Sequence, residues 1–264
     1  MTMLTPLPDP VFASIGFVFG LLVGSFANVC ISRLPKKESV VFPGSHCPSC
    51  NAGIRAMDNI PIVSYLILKG QCRSCGQPIS AIYPAIEMIT GLLLASVFYK
   101  FGLSWECLIF AIVVPALVII TAIDIEHQII PDVITLPGIV LGLAAGTYLN
   151  GFWDSLIGCL LGGGLFLLLA EVYFKLRNTV GMGGGDIKYI AAAGALLGWI
   201  QVLLVIFIGA LAGAIFGAIG MSFKKLGFLS KIPFGPFLAL ATLISIFFGN
   251  DILSLYLSTM GMER

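Results

Sequence analysis

Two aspartates, Asp124 and Asp186, have the residue type and the setting that best fit a chemical role. Asp124 follows one apolar run and Asp186 precedes another. A carboxylate at such a boundary is costly and is by default a functional-site candidate. The run Gly183–Gly185 directly before Asp186 removes side-chain bulk and permits close approach of another helix. Two carboxylates that meet cannot both ionise easily. One acid and one base result, as an aspartic protease needs to activate water.

Other roles for these carboxylates stay open on spacing alone. A juxtamembrane aspartate is often a helix cap, and this is the role that we predict for Asp132, which follows Pro131. Asp186 could likewise cap the next helix after a glycine hinge. A transporter also uses intramembrane carboxylates, but it needs further ionisable residues deep within its spans, and the middles of these apolar runs are uncharged. The segment 181–185 lacks the spacing of a nucleotide-binding P-loop.

Four of the seven cysteines form two C-x-x-C pairs in one polar stretch, Cys47 with Cys50 and Cys72 with Cys75. This spacing is typical of a four-thiolate zinc site, because each short turn presents two sulfurs to one tetrahedral centre. Two disulfides or a redox pair are the alternatives. The charge distribution described below places the stretch in the reducing cytosol, which disfavours disulfides. We therefore expect a structural zinc that folds the stretch and has no catalytic role.

The composition requires a membrane around these residues. Hydrophobic residues make up 58% of the 264 positions and charged residues 10%, with a mean hydropathy of +1.05. A soluble domain carries roughly a quarter charged residues. We expect a lipid bilayer as the surrounding partner and no nucleic acid, because the net charge is only +1. The first apolar run is expected to be a permanent span, since no basic segment precedes it.

Apolar windows of about 20 residues predict an all-α polytopic membrane protein with about eight transmembrane helices. The windows lie near 11–31, 84–101, 105–123, 133–149, 153–174, 187–198, 200–221 and 236–258. The sixth is short, so it is tilted, broken or continuous with the seventh.

Three regions follow from this pattern. Residues 1–31 contain the first transmembrane helix, residues 32–82 are a small four-cysteine insert, and residues 83–264 form the membrane domain that carries both aspartates. Two spans separate Asp124 from Asp186. Because an even number of crossings returns a chain to the same side, we expect both carboxylates at one membrane face.

Basic residues favour cytoplasmic loops, and they orient the chain. With the N-terminus outside, 12 of the 14 lysines and arginines lie inside. The 12 are Arg33, Lys36, Lys37, Arg55, Lys69, Arg73, Lys175, Arg177, Lys188, Lys224, Lys225 and Lys231. Only Lys100 and Arg264 then lie outside. The insert and both aspartates are therefore expected to face the cytoplasm.

The sequence resembles the prepilin peptidase family, the type IV prepilin leader peptidases, in motifs whose order and spacing cover nearly the whole chain. The motifs are Gly24-Ser-Phe-Ala-Asn-Val, Arg33-Leu-Pro35, Ser45-His-Cys-Pro-Ser-Cys50, Asp58-Asn-Ile-Pro-Ile-Val-Ser-Tyr65, the second cysteine pair, Tyr83-Pro-Ala-Ile-Glu87, Asp124 with Ile130-Pro-Asp132, Gly183-x-Gly185-Asp186-x-Lys188 and Ile232-Pro-Phe-Gly-Pro236.

The resemblance implies an eight-span aspartic protease of the bacterial cytoplasmic membrane, with Asp124 and Asp186 as the catalytic pair at the cytoplasmic side. It also implies that Gly183, Gly185 and Lys188 belong to the active-site loop. Family substrates are prepilins of type IV pili and pseudopilins of type II secretion, cut after a glycine just before a hydrophobic helix. Many members also transfer a methyl group from S-adenosylmethionine to the new N-terminal residue. Since the cysteine insert accompanies that activity, the resemblance implies a bifunctional enzyme.

Overall fold

The computed structural model describes residues 9–179, 181–223 and 232–260, and it divides into two compact units. The N-terminal unit extends to Ile119 and the C-terminal unit begins at Ile120. Four of the basic residues used to predict the orientation lie outside the described ranges: Lys224, Lys225, Lys231 and Arg264.

Within the described ranges the regular secondary structure is helical and contains no strand, which confirms the all-α fold. The helices are α1 (Asp9–Arg33), α2 (Val63–Ile67), α3 (Ile82–Phe101), α4 (Trp105–His127), α5 (Asp132–Asn150), α6 (Phe152–Arg177), α7 (Gly184–Leu197), α8 (Trp199–Ser222) and α9 (Gly235–Thr259). Short 3₁₀ turns occupy Leu34–Lys36 and Ala56–Asn59. The boundary between the two units falls within α4.

Of the described helices, seven are long and apolar enough to cross a membrane: α1, α3, α4, α5, α6, α8 and α9. They coincide with seven of the predicted spans. The predicted span 187–198 is instead α7, which has 14 residues. At about 1.5 Å per residue such a helix is roughly 21 Å long, shorter than the ~30 Å of hydrocarbon. It is separate from α8, because Gly198 between them has a φ of +85°.

Small residues hold the helices of the N-terminal unit together. Gly16, Gly20 and Gly24 lie four residues apart on α1, so they form one stripe, and this stripe packs against α3. A Cβ atom added at Gly20 would lie 2.7 Å from the Cα atom of Gly91. Lipid tails are as apolar as leucine, so close backbone approach rather than hydrophobic burial favours this pairing.

The C-terminal unit surrounds α7 in the same way. Helix α5 presents Gly142 and Gly146 to it, and α6 presents Gly158 and Gly162. A Cβ atom added at Gly162 would lie 2.8 Å from the carbonyl oxygen of Ile190. The short helix α7, with Asp186 in its first turn, is therefore fixed by backbone contacts with two longer neighbours.

These contacts predict unequal effects of two similar substitutions in α6. A Cβ atom at Gly158 would overlap the carbonyl oxygen of Gly194, whereas one at Gly164 would meet no atom within 4 Å. We expect Gly158→Ala to destabilise the fold by about 1–3 kcal/mol, the usual cost of overpacking. Gly164→Ala should leave stability unchanged. Thermal unfolding of the detergent-solubilised variants measures the difference, and equal midpoints would contradict the packing described here.

Candidate active site and metal centre

Asp124 lies in the last turn of α4, and only 5% of it is exposed. Its Oδ2 atom accepts a hydrogen bond of 2.8 Å from the backbone N–H of Gly235. Gly235 is the first residue of α9, where backbone N–H groups have no partner within the helix and the helix dipole favours negative charge. A Cβ atom at Gly235 would lie 2.7 Å from the same oxygen. Glycine is therefore required for this contact.

Asp186 occupies the third position of α7 and is half-buried. The backbone N–H of Gly183, the residue before the helix, donates a hydrogen bond to its carboxylate. An acidic side chain at the third helical position caps a helix in this way. A Cβ atom at Gly183 would lie 3.2 Å from Oδ2 of Asp186, tighter than most such contacts. Asp186 can therefore cap α7 and still interact with the carboxylate of Asp124.

The two aspartates lie in the same compact unit, the C-terminal one. The carboxylate of Asp124 acts electrostatically on that of Asp186. The start of α7 reaches this position because Gly185 packs on the connection between α4 and α5. A Cβ atom there would lie 2.8 Å from Cβ of Ile130. Each carboxylate is thus held by a backbone N–H at the N-terminus of a different helix, α9 or α7.

A buried hydrogen bond joins those two helices. The hydroxyl groups of Tyr189 on α7 and Thr242 on α9 are 2.8 Å apart, and the two residues are 3% and 1% exposed. Thr242 in turn donates to the carbonyl oxygen of Leu238. This bond joins α7 and α9 about one turn beyond Asp186 and about two turns beyond Gly235, so it limits how far the two helix N-termini can separate. Sequence analysis assigned no role to either residue.

Lys188 forms an ion pair with Asp132, with 2.7 Å between its Nζ atom and Oδ1. The prediction that Asp132 caps α5 was wrong. Asp132 is the first residue of that helix, Pro131 precedes it, and the helix has no side-chain cap. Because both members of the ion pair are partly exposed, it contributes about 0–1 kcal/mol. It joins α5 to α7 next to the aspartates.

The two cysteine pairs lie in a backbone motif that occurs twice, at 45–54 and 70–79. In each copy the N–H of the first cysteine donates to the carbonyl group five residues later, and an N–H four residues later donates back to it. The residue after the second cysteine has a positive φ, 55° at Asn51 and 70° at Gly76. Isolated antiparallel bridges, His46 with Gly53 and Gln71 with Pro78, close the turns. The copies share little sequence beyond Cys-x-Ser-Cys, so this repeat is not evident from the residues.

The four sulfur atoms converge on one point. All lie within 4.8 Å of one another, and those of Cys47 and Cys75 are 3.9 Å apart. Tetrahedral zinc with Zn–S bonds of about 2.3 Å places its sulfurs about 3.8 Å apart. The backbone N–H groups of Cys50 and Ser49 lower the pKa of Cys47 to about 6, which favours the thiolate that binds metal. None of the four forms a disulfide. The donor set therefore fits a thiophilic tetrahedral metal ion.

An ion pair connects the second cysteine pair, Cys72 with Cys75, to the rest of the insert. Arg73 donates three hydrogen bonds to Asp58, of which the shortest run from Nε to Oδ2 at 2.8 Å and from Nη2 to Oδ1 at 2.7 Å. The guanidinium group holds the pKa of Asp58 below its usual value. Such a two-point contact has fixed geometry. It links the metal centre to the 3₁₀ turn Ala56–Asn59.

The metal site can be tested by composition. We expect the purified full-length chain to contain about one equivalent of zinc, since structural sites take four protein ligands. Cys72→Ser should lose most of it because it removes one ligand. Cys30→Ser is the matched control, since Cys30 is buried in α1 away from the cluster. Metal content is measured by mass spectrometry of the dialysed protein, and full occupancy in Cys72→Ser would exclude the four-thiolate site.

Comparison with known proteins finds two matching family models along the chain. Residues 18–101 match the family described as Bacterial Peptidase A24 N-terminal domain, and residues 111–218 match the Type IV leader peptidase family. Both aspartates lie in the second match and all four cysteines in the first. No solved structure matches the chain.

Curated relatives carry the name prepilin leader peptidase/N-methyltransferase. The protein from Aeromonas salmonicida is 38% identical over 94% of this chain and 95% of its own length. That from Pseudomonas aeruginosa is 37% identical over 93% of each. A relative from Myxococcus xanthus is 39% identical over 79% of this chain and 63% of its own. Because the first two relatives are 38% and 37% identical over nearly the full length, the chain belongs to the type IV leader peptidase family.

Proposed function

We propose that the chain is a membrane-embedded aspartic endopeptidase that removes the leader of type IV prepilins or type II secretion pseudopilins and methylates the new N-terminus. One observation supports the aspartic mechanism above the others. Asp124 and Asp186, both within the segment matched by the peptidase family, interact electrostatically while each accepts a backbone N–H from a helix N-terminus.

The proposed hydrolysis is non-covalent. One carboxylate accepts a proton from water as the oxygen attacks the scissile carbonyl carbon, and the protonated partner donates to the carbonyl oxygen. When the tetrahedral intermediate collapses, the carbon–nitrogen bond breaks and a proton passes to the leaving amine. Water supplies the hydroxyl group of one product and the proton of the other. The two backbone N–H donors favour one ionised carboxylate, because they stabilise negative charge at the N-termini of α7 and α9.

The proposed substrate and the proposed membrane side of cleavage agree with the position of the two aspartates. Prepilin processing is named in the relatives, and a scissile bond beside a hydrophobic helix suits a site at the membrane boundary. The lysine and arginine distribution supports a site at the cytoplasmic side of the inner membrane, with the N-terminus outside. A substrate helix would lie in the bilayer while its leader stays in the cytosol.

The second activity is assigned to the same chain. S-adenosylmethionine would supply the sulfonium-bound methyl group that is transferred to the new N-terminal amine. The relatives are named as N-methyltransferases as well as peptidases. The four cysteines would hold zinc in a structural role and keep the insert folded. The transporter alternative receives no support, because the relatives from Aeromonas salmonicida and Pseudomonas aeruginosa are named as peptidases.

A single incubation tests the proposal. The purified chain in detergent is mixed with a prepilin and S-adenosylmethionine, and the product N-terminus is read by mass spectrometry. We expect loss of the leader and a mass gain of one methyl group on the product. Intact prepilin after prolonged incubation would contradict the peptidase. A cleaved product without the methyl group would contradict only the second activity.

The three consecutive glycines before Asp186 should differ in importance. A Cβ atom at Gly183 would crowd the Asp186 carboxylate and one at Gly185 would meet Ile130, but one at Gly184 has open space. We expect Gly183→Ala and Gly185→Ala to slow prepilin cleavage by about tenfold or more, since small displacements of reacting groups cost large factors. Gly184→Ala, the matched control, should cleave normally. Cleavage rates in membranes at equal protein level measure this, and equal sensitivity of all three would contradict the described contacts.

A further inference from the structure

A cavity of about 270 Å³ lies in the N-terminal unit between α1 and the cysteine insert. Its polar lining includes Arg33, Ser25, Ser45 and Asn59, and its apolar lining includes Phe26 and Val41. Its volume is close to the lower end of small-molecule pockets, which combine an apolar wall with a few placed polar groups. All of its lining residues fall within the match to the N-terminal domain of the family.

Arg33 is the charged residue in the lining of this cavity. It is only 9% exposed, and its guanidinium group donates to the backbone carbonyl oxygens of Ser39 at 3.0 Å and Gly44 at 3.3 Å. These two acceptors are fewer than the N–H groups of a guanidinium. In the part of the chain that the structure describes, the ion pairs are Arg73 with Asp58 and Lys188 with Asp132, so Arg33 has no anion. A buried cation without a counter-ion is costly, and a bound anion would offset that cost.

The wall opposite α1 is held in a strained conformation. Ile62, next to the cavity residue Pro61, has a φ of +61°, where a β-branched residue is an outlier. Its N–H donates to Glu87 at 2.8 Å, and Glu87 also accepts a hydrogen bond from Ser25 on the α1 side of the cavity. Glu87 thus connects both sides. Strain of this kind persists only where surrounding contacts fix it, often around ligands.

We propose that this cavity binds the amino-acid end of S-adenosylmethionine, with the carboxylate of the ligand paired to Arg33. The proposal rests on the methyltransferase part of the proposed function. It fits because the ligand has one carboxylate for the buried cation, and because hydroxyl and amide groups of the lining can bind its ammonium and sugar. The cavity takes only part of the molecule, which leaves the sulfonium methyl group accessible to an incoming amine.

Binding of radiolabelled S-adenosylmethionine tests the assignment by equilibrium dialysis of the full-length chain in neutral-lipid nanodiscs. We expect Arg33→Met to weaken binding at least about tenfold, because it removes a charge-assisted contact, and Arg33→Lys to recover part of the loss. Val41→Trp narrows the cavity without removing a buried charge and should also weaken binding. Phe42→Trp is the control, since Phe42 is 77% exposed and does not line the cavity.

The outcomes separate this inference from the proposed function. Wild-type affinity in both Arg33→Met and Val41→Trp would overturn the cavity assignment, and Val41→Trp decides alone if thermal unfolding shows that Arg33→Met is misfolded. A wild-type chain that cleaves prepilin but binds no S-adenosylmethionine also overturns it, whereas one that does neither contradicts the proposed function. Native mass spectrometry of the purified protein tests whether Arg33 instead binds the headgroup of an anionic phospholipid. If Arg33→Met loses a co-purified anionic phospholipid and keeps S-adenosylmethionine, the site binds a lipid headgroup and the inference is wrong.

Discussion

Asp124→Asn and Asp186→Asn are each expected to reduce prepilin cleavage by roughly 10³-fold or more, the range for losing a general acid or base together with its partner's function. Asparagine keeps the size and the hydrogen-bond acceptor of aspartate, so the bonds from Gly235 and Gly183 can persist. Asparagine cannot accept a proton from water or donate one to the carbonyl oxygen, so the substitution removes the acid–base function. The loss should therefore appear in kcat with KM little changed, as measured by leader release from a purified prepilin.

The ion pair beside the site supplies the control for this result. Asp132→Asn removes a carboxylate from the same region, but one that pairs with Lys188 at the surface. It should change cleavage by no more than about threefold, because a partly exposed ion pair contributes about 0–1 kcal/mol. If Asp132→Asn is as damaging as the other two, the assignment of the catalytic pair is wrong. The same holds if either Asp124→Asn or Asp186→Asn cleaves normally while inserted in the membrane.

Gly235→Ala is expected to have the second largest effect, about 10²-fold in kcat, although it adds a single methyl group. The new Cβ atom would lie 2.7 Å from Oδ2 of Asp124 and 3.1 Å from its Cγ atom. Either the carboxylate or the start of α9 must move, and a displacement of about 1 Å at a reacting group costs about that factor. Cleavage kinetics and thermal unfolding of the same preparation separate loss of geometry from loss of fold.

Gly217→Ala on α8 is the matched control. Its Cβ atom would make an ordinary contact of 3.4 Å with the end of the Ile232 side chain. We expect activity and unfolding midpoint to match wild type. Full activity of Gly235→Ala would show that the bond to Asp124 is dispensable, and the helix N-terminus would then have no part in the reaction.

The sequence was sufficient for seven of the transmembrane helices and for the expectation that Asp124 and Asp186 lie at one membrane face. Long apolar runs have one physical solution in lipid, and crossing parity then places two loops at one face. Apolar length alone does not predict how α7 is placed, because this helix is too short for an ordinary span. It is held instead by glycine contacts from α5 and α6. Those contacts had a signal in the four-residue spacing of Gly142 with Gly146 and of Gly158 with Gly162, a pattern that marks close helix packing.

The partners of individual side chains were harder to predict. Asp132 follows Pro131, as a cap would, but its carboxylate pairs with Lys188, on a helix more than fifty positions away in the chain. The role of Gly235 depends on a contact across 111 residues. No local propensity encodes such a contact. The sequence shows only that Gly235 precedes Pro236 at the start of a helix, where a glycine leaves the backbone N–H accessible to a partner.

The bond between Gly235 and Asp124 also bears on how the enzyme is made in the cell. Ribosomes add roughly 5–20 residues per second, so about ten seconds of translation separate the acceptor from its donor, which lies 111 residues later. During that interval the Asp124 carboxylate lacks the backbone N–H that α9 later donates to it. The contact around Asp124 is therefore completed only when the start of α9 has been made.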